Sequence, residues 1–133
     1  MFEPSSSGGL PNFEYVEIYN RKSEAVSLKD WTLSDGSAAS VFPELILLPH
    51  SYLILCHTSA ESTFINYGST IGLPSFPVLN NEVGDHLELK DSNGVLIEEL
   101  TFSNQTYRDG SKDDGGYSLE RIDILFPCVN PLN

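Results

Sequence analysis

Over much of the chain, hydrophobic and polar positions alternate at period two, the spacing of half-buried β-strands. Between Phe13 and Asn20, Val16 and Ile18 share one face while Tyr15, Glu17 and Tyr19 share the other. This predicts a strand with Val16 and Ile18 turned to the core. "NRKSEA" (20–25) is turn material. Val26 and Leu28 follow as a short apolar pair, and Trp31 and Leu33 resume the alternation before an Asp35–Gly36 turn. "ELILLPHSYLILCH" (44–57) predicts two strands parted by Pro49 and His50. In the second, Tyr52, Ile54 and Cys56 lie on one face and Leu53 and Leu55 on the other. A strand apolar on both faces belongs in the middle of a sheet.

A single helical segment is predicted near 59–67. Thr58 and Glu61 have capping-box spacing, Phe64 and Tyr67 stand three apart, and Gly68 closes the segment. "GLPSFPVLNNEVGD" (72–85) reads mostly as loop. "DHLELKDSNGVLIEELTF" (85–102) predicts a hairpin around Asn93–Gly94. Leu87 and Leu89 share a face, but Ile97 and Leu100 are three apart, so a β-bulge near Glu98–Glu99 is needed to absorb one residue. "YSLERI" (117–122) reads as a final strand before Pro127. Short strands separated by regular turns indicate an all-β sandwich or barrel.

Composition narrows the function. At 133 residues, with seven Phe and six Tyr, the chain is long enough for one domain with a real core. Its net charge of −12, from 19 acidic and 7 basic residues, opposes nucleic-acid binding, which needs a basic footprint, and disfavours anionic membranes. No apolar run approaches the ~20 residues of a membrane span. The first residues have neither the basic stretch nor the apolar run of a secretory signal. Cys56 and Cys128 lie far apart without metal-ligand spacing, so they are either two buried thiols or one disulfide.

Five ordered blocks, "EYVEIYN", "VSLKDWTLSDG", "SYLILC", "LNNEVGDHLELKDSNGVLIEEL" and "GGYSLERID", resemble the bacterial branch of the lamin tail domain family. The resemblance covers roughly residues 13 to 128 and implies an immunoglobulin-like β-sandwich. Residues 1–12 are then a flexible leading linker, and 129–133 a tail cut from a longer chain. It also implies that Trp31 packs between the sheets as a core anchor, and it favours a Cys56–Cys128 disulfide, because such members are secreted or surface modules. Glu17 and Arg121 are expected to form an ion pair that holds strand register. No heptad rod accompanies the blocks, so a nuclear filament is not implied.

Catalytic chemistry is weakly represented. His50, His57 and His86 are dispersed and belong to no hydrolase, protease or phosphate-binding motif, and Ser118 has no assigned base. The acidic loop "DGSKDDGGYSLE" puts Asp109, Ser111, Asp113 and Glu120 at positions 1, 3, 5 and 12 of a calcium-loop template, although Asp114 occupies the position that wants glycine. A solvated acidic loop is the plainer reading. Phe13, Tyr15 and Tyr19 are candidates for an exposed aromatic platform, with burial as the competing reading. Asn104–Thr106 is a glycosylation sequon. The expected function is a non-catalytic accessory module of a secreted, cell-surface or periplasmic protein, without cofactor. It would meet a protein or carbohydrate partner in adhesion, scaffolding or tethering of neighbouring domains. The alternatives are a calcium-dependent binding module and an accessory domain of a secreted hydrolase.

Overall fold

The computed structural model describes residues 1, 4–5, 9–80, 84–107 and 115–121. Strands β1 (Tyr15–Tyr19), β2 (Val26–Ser27), β3 (Thr32–Ser34), β4 (Ala39–Val41), β5 (Ile46–Leu47) and β6 (Tyr52–His57) come first. A 3-10 turn at Thr58–Ala60 leads into helix α1 (Glu61–Phe64), followed by β7 (Thr70–Leu73), β8 (Asp85–Lys90) and β9 (Leu96–Phe102). They form a three-stranded sheet β1-β6-β7, a two-stranded sheet β2-β5 and a four-stranded sheet β4-β3-β8-β9. The fold is all-β, as the alternation predicts, and it is the sandwich that the family resemblance implies rather than a barrel.

The strands obey their patterns. Val16 and Ile18 pack against a core of Leu28, Leu33, Phe42, Leu47, Leu53, Leu55, Leu73, Phe76, Leu79, Leu87 and Phe102. As expected, β6 is the middle strand of its sheet, with Leu53 to Cys56 buried on both faces. Its inner face joins this core, while its outer face carries a second, smaller cluster of Ile54, Cys56, Ala60 and Phe64, with Tyr15 against it. Pro49–His50 parts β5 from β6, and the two strands go to different sheets. Asn20, at the end of β1, is buried. Its Nδ2 donates to the carbonyls of Glu24, Leu47 and Leu48, and its Oδ1 accepts from the Lys22 amide. One amide side chain thus ties the first turn to β5.

Several local predictions need correction. The helix is short, and its cap is His57, whose Nδ1 accepts from the Ser59 amide, rather than Thr58. Gly72 explains the tight seat: a Cβ there would meet the Thr58 Cα at 2.7 Å and the Glu61 carboxylate at 2.8 Å. Part of the segment read as loop is strand, since Thr70–Leu73 pairs in parallel with β6, and Phe76 and Leu79 from the remainder enter the core. The hairpin bulge falls at Ile97, one residue before its predicted place: Leu89 opposes Glu98 while Lys90 opposes Leu96. The hairpin loop is organised by Asp91, whose Oδ1 accepts from the Asn93 and Val95 amides. Residues 117–121 are irregular rather than a strand.

Those residues nonetheless bridge the two large sheets. Leu119 packs on the main core, and the Ser118 hydroxyl contacts Tyr15 of β1. Arg121 pairs with Glu98 of β9, its Nη2 3.2 Å from a carboxylate oxygen. This replaces the expected Glu17–Arg121 pair. A one-residue reading of faces could not supply the register that brings Arg121 to β9. Trp31 is half-buried against the main core; Phe42, Leu28, Leu55 and Leu73 are the fully buried residues there. Asp30 just before it takes a left-handed turn, φ 61°, and the Trp31 carbonyl accepts from the Phe42 amide.

Candidate functional site

The outer face of the three-stranded sheet is unevenly covered. At one end Tyr15 lies opposite Cys56, and α1 closes over them: the Tyr15 and Phe64 rings are 5.1 Å apart. At the other end Tyr19 lies opposite Tyr52, with ring centroids 4.5 Å apart and nothing of α1 above them. Tyr52 is 48% exposed. His50 stands beside the pair in a left-handed conformation, φ 51°, which brings its Nδ1 to 3.4 Å from the Tyr19 hydroxyl. Few non-glycine residues adopt that backbone, histidine being one of the more tolerant, and here it sets the imidazole beside the Tyr19 ring, centroids 6.5 Å apart.

The aromatic platform anticipated on Phe13, Tyr15 and Tyr19 is therefore rearranged. Tyr15 belongs to the covered half, Phe13 is exposed but outside the Tyr19–Tyr52 pair, and Tyr19 finds a different partner. Tyr52 and His50 join this surface without any signal in the local sequence. Alternation had placed Tyr52 with Ile54 and Cys56, but only the pairing register could set it against Tyr19.

Between the two halves sits Glu17, opposite Ile54. Burial raises the Glu17 carboxyl above its ordinary range, and the nearby Glu120 carboxylate pushes it the same way. Glu14, which accepts from the Leu79 amide at 3.3 Å, is also raised, chiefly by burial. Cys56 carries a fully buried thiol that is unbonded among the described residues, pushed up to about 11 by burial and then by Glu61. Cys128, its implied bonding partner, lies outside the described residues. So do Asp109, Ser111 and Asp113 of the calcium-loop template. Glu120, the fourth member, accepts from the Ser118 hydroxyl.

A separate group of potential metal ligands occupies the outer face of the four-stranded sheet. His86 and Glu88 of β8 and Glu99 of β9 each offer a ligand atom, all within 4.8 Å of one another. The His86 Nε2 is 3.8 Å from Glu88 and 3.7 Å from Glu99, and its Nδ1 is 2.8 Å from the Thr101 hydroxyl. Lys90 is hydrogen-bonded to the other oxygen of Glu88. His50 and His57 lie elsewhere, beside Tyr19 and at the cap of the 3-10 turn that leads into α1.

Among the described residues, no helix is long and apolar enough to cross a membrane. In comparison with known families, residues 1–104 match the family model described as Lamin Tail Domain. No curated protein matches the chain.

Proposed function

The chain belongs to the lamin tail domain family, a family of non-catalytic immunoglobulin-like modules, and from that premise we propose that it is an accessory interaction module of a secreted or cell-surface protein. It serves adhesion, scaffolding or the tethering of neighbouring domains. The observation that carries this reading is the open half of the three-stranded sheet. Tyr52 is exposed with the half-buried Tyr19 ring packed against it, on a face whose other half is closed by α1. Tyrosine supplies large, rigid contact area with a polar tip, and it is enriched where proteins bind partners. A tilted aromatic pair, its ring planes 37° apart, with an imidazole beside Tyr19 suits an apolar side chain or the apolar face of a sugar ring.

Protein and glycan arrays probed with the purified chain test the reading. Specific binding that Tyr52→Ala abolishes, in a variant that melts like the parent, supports it. Binding indifferent to Tyr52, or its absence on both arrays, overturns the surface as the contact. An extracellular setting would also accommodate a Cys56–Cys128 disulfide.

The calcium-dependent alternative rests on the spacing of Asp109, Ser111, Asp113 and Glu120. It requires a melting temperature that rises with calcium and an Asp113→Ala variant that does not respond. The hydrolase-accessory alternative requires a catalytic domain in the same parent chain.

A further inference from the structure

We propose that His86, Glu88 and Glu99 form a site for one divalent first-row transition ion of the zinc class, independent of the tyrosine surface. The pairing register builds it. His86 opposes Thr101 and Glu88 opposes Glu99, so four side chains from two adjacent strands stand on one face of the sheet. Three of them carry good ligands for such an ion: one imidazole nitrogen and two carboxylates.

The geometry is close to what a metal requires. Ligand atoms about 2.0–2.1 Å from a tetrahedral zinc lie roughly 3.4 Å from each other. The His86 Nε2 is already 3.7 and 3.8 Å from the two carboxylate oxygens, and the three ligand atoms all lie within 4.8 Å of one another. Closure therefore needs a few tenths of an ångström about the imidazole and a side-chain rotation of Glu88 and Glu99 toward each other. These separations exceed a hydrogen bond, which leaves the Nε2 lone pair available when Nδ1–H donates to Thr101 at 2.8 Å. A histidine that binds metal is commonly held in this way by a hydrogen bond to its other ring nitrogen.

Electrostatics points in the same direction. Like charges directly opposite each other across a strand pair are unfavourable, yet Glu88 and Glu99 are so placed. Among the described residues, the Lys90 ammonium is paired with Glu88 and not with Glu99. Among the described residues, the ion pair recorded for Glu99 is with His86, which is cationic only when protonated. A dication between the carboxylates neutralises both, and the protein's net charge of −12 concentrates cations around it. The ligand set selects the ion: imidazole favours zinc, cobalt or nickel, whereas calcium takes six to eight oxygens. Three protein ligands leave a coordination position to water.

Titration of the whole chain with zinc chloride by calorimetry, and with cobalt chloride by visible absorption, tests the site. One Zn²⁺ per chain and a cobalt d–d spectrum are expected, with calcium failing to displace either ion. His86→Ala and Glu99→Gln should each weaken binding at least tenfold. Thr101→Val should weaken it by about tenfold, through the lost orientation of the ring, and Lys90→Gln should tighten it by freeing Glu88. Glu99 is exposed, so Glu99→Gln keeps the apo melting temperature and isolates the ligand effect. The proposal is overturned if zinc does not bind, or if His86→Ala and Glu99→Gln bind it like the parent, which would put the ion elsewhere.

Discussion

Phe64→Ala removes the ring that clamps α1 to the three-stranded sheet. The helix has four residues, far too few to persist on its own backbone hydrogen bonds, so its position depends on the small cluster of Ile54, Cys56, Ala60 and Phe64. Phe64 is 2% exposed, and truncating such a buried phenylalanine costs about 3–5 kcal/mol in lost transfer energy and residual cavity. Contact with Tyr15 at 5.1 Å adds an aromatic pair worth roughly 0.5–1.5 kcal/mol, part of which is already counted in burial. A short helix can sag into the vacancy, which puts the expected loss near the lower end, about 3 kcal/mol. Against a typical total of roughly 5–15 kcal/mol, that is a large fraction.

Urea unfolding monitored by Trp31 fluorescence, with Phe42→Ala as the main-core comparison, measures the loss. Cys56 supplies a local probe. Its thiol lies in the same cluster and is pushed up to about 11, so in a Cys128→Ser background it should resist a thiol reagent until Phe64 is removed. A loss below about 1 kcal/mol, with Cys56 still protected, would refute the clamp and mean that α1 is held by its cap and loop alone.

Asn20→Ala should cost about 2–3 kcal/mol in the same urea assay, because the Leu47 carbonyl is left buried without its side-chain donor; an unchanged midpoint would mean that water replaces the amide. Gly84 has φ 80°, and a Cβ there would run into the Phe102 carbonyl oxygen. Gly84→Ala should therefore lower stability by at least about 2 kcal/mol, combining left-handed strain with a backbone shift, and circular-dichroism melting reads it. Glu14 and Glu17 have raised carboxyls, so the folded state holds these protons more tightly than the unfolded chain. Both groups oppose folding while ionised, and the penalty is relieved as pH falls through their raised values. Burial lowers the Met1 amino group to about 5, so its protonation opposes folding as pH falls from neutrality. The carboxyl contribution is therefore read from the difference in melting temperature between the parent and Glu17→Gln, which should narrow on acidification. Glu17→Gln should raise the melting temperature at neutral pH; a difference that stays constant with pH would exclude Glu17 as a source.

Local chemistry determined the elements whose side chains obey one period. The alternation through Val16 and Ile18, the doubly apolar β6, the break at Pro49–His50 and the hairpin at 85–102 follow from the pleat, which sends successive residues to opposite faces whatever lies beyond them. Where residues belonged to a turn, the outcome depended on competing partners: His57 displaced Thr58 as cap, and the bulge slid to Ile97. β7 lacked a readable pattern because its parallel pairing with β6 depends on α1 carrying the chain across, a long-range event. Register is likewise a tertiary property. It set Tyr19 against Tyr52 and Glu88 against Glu99, and it took Arg121 to Glu98 instead of Glu17. Composition and period two therefore determined which residues turn inward and that the fold is all-β, while the resemblance of the ordered blocks to a known family singled out the sandwich. The three-dimensional pairing of strands decided which outward residues meet, and a surface site is made by such meetings between residues distant in sequence.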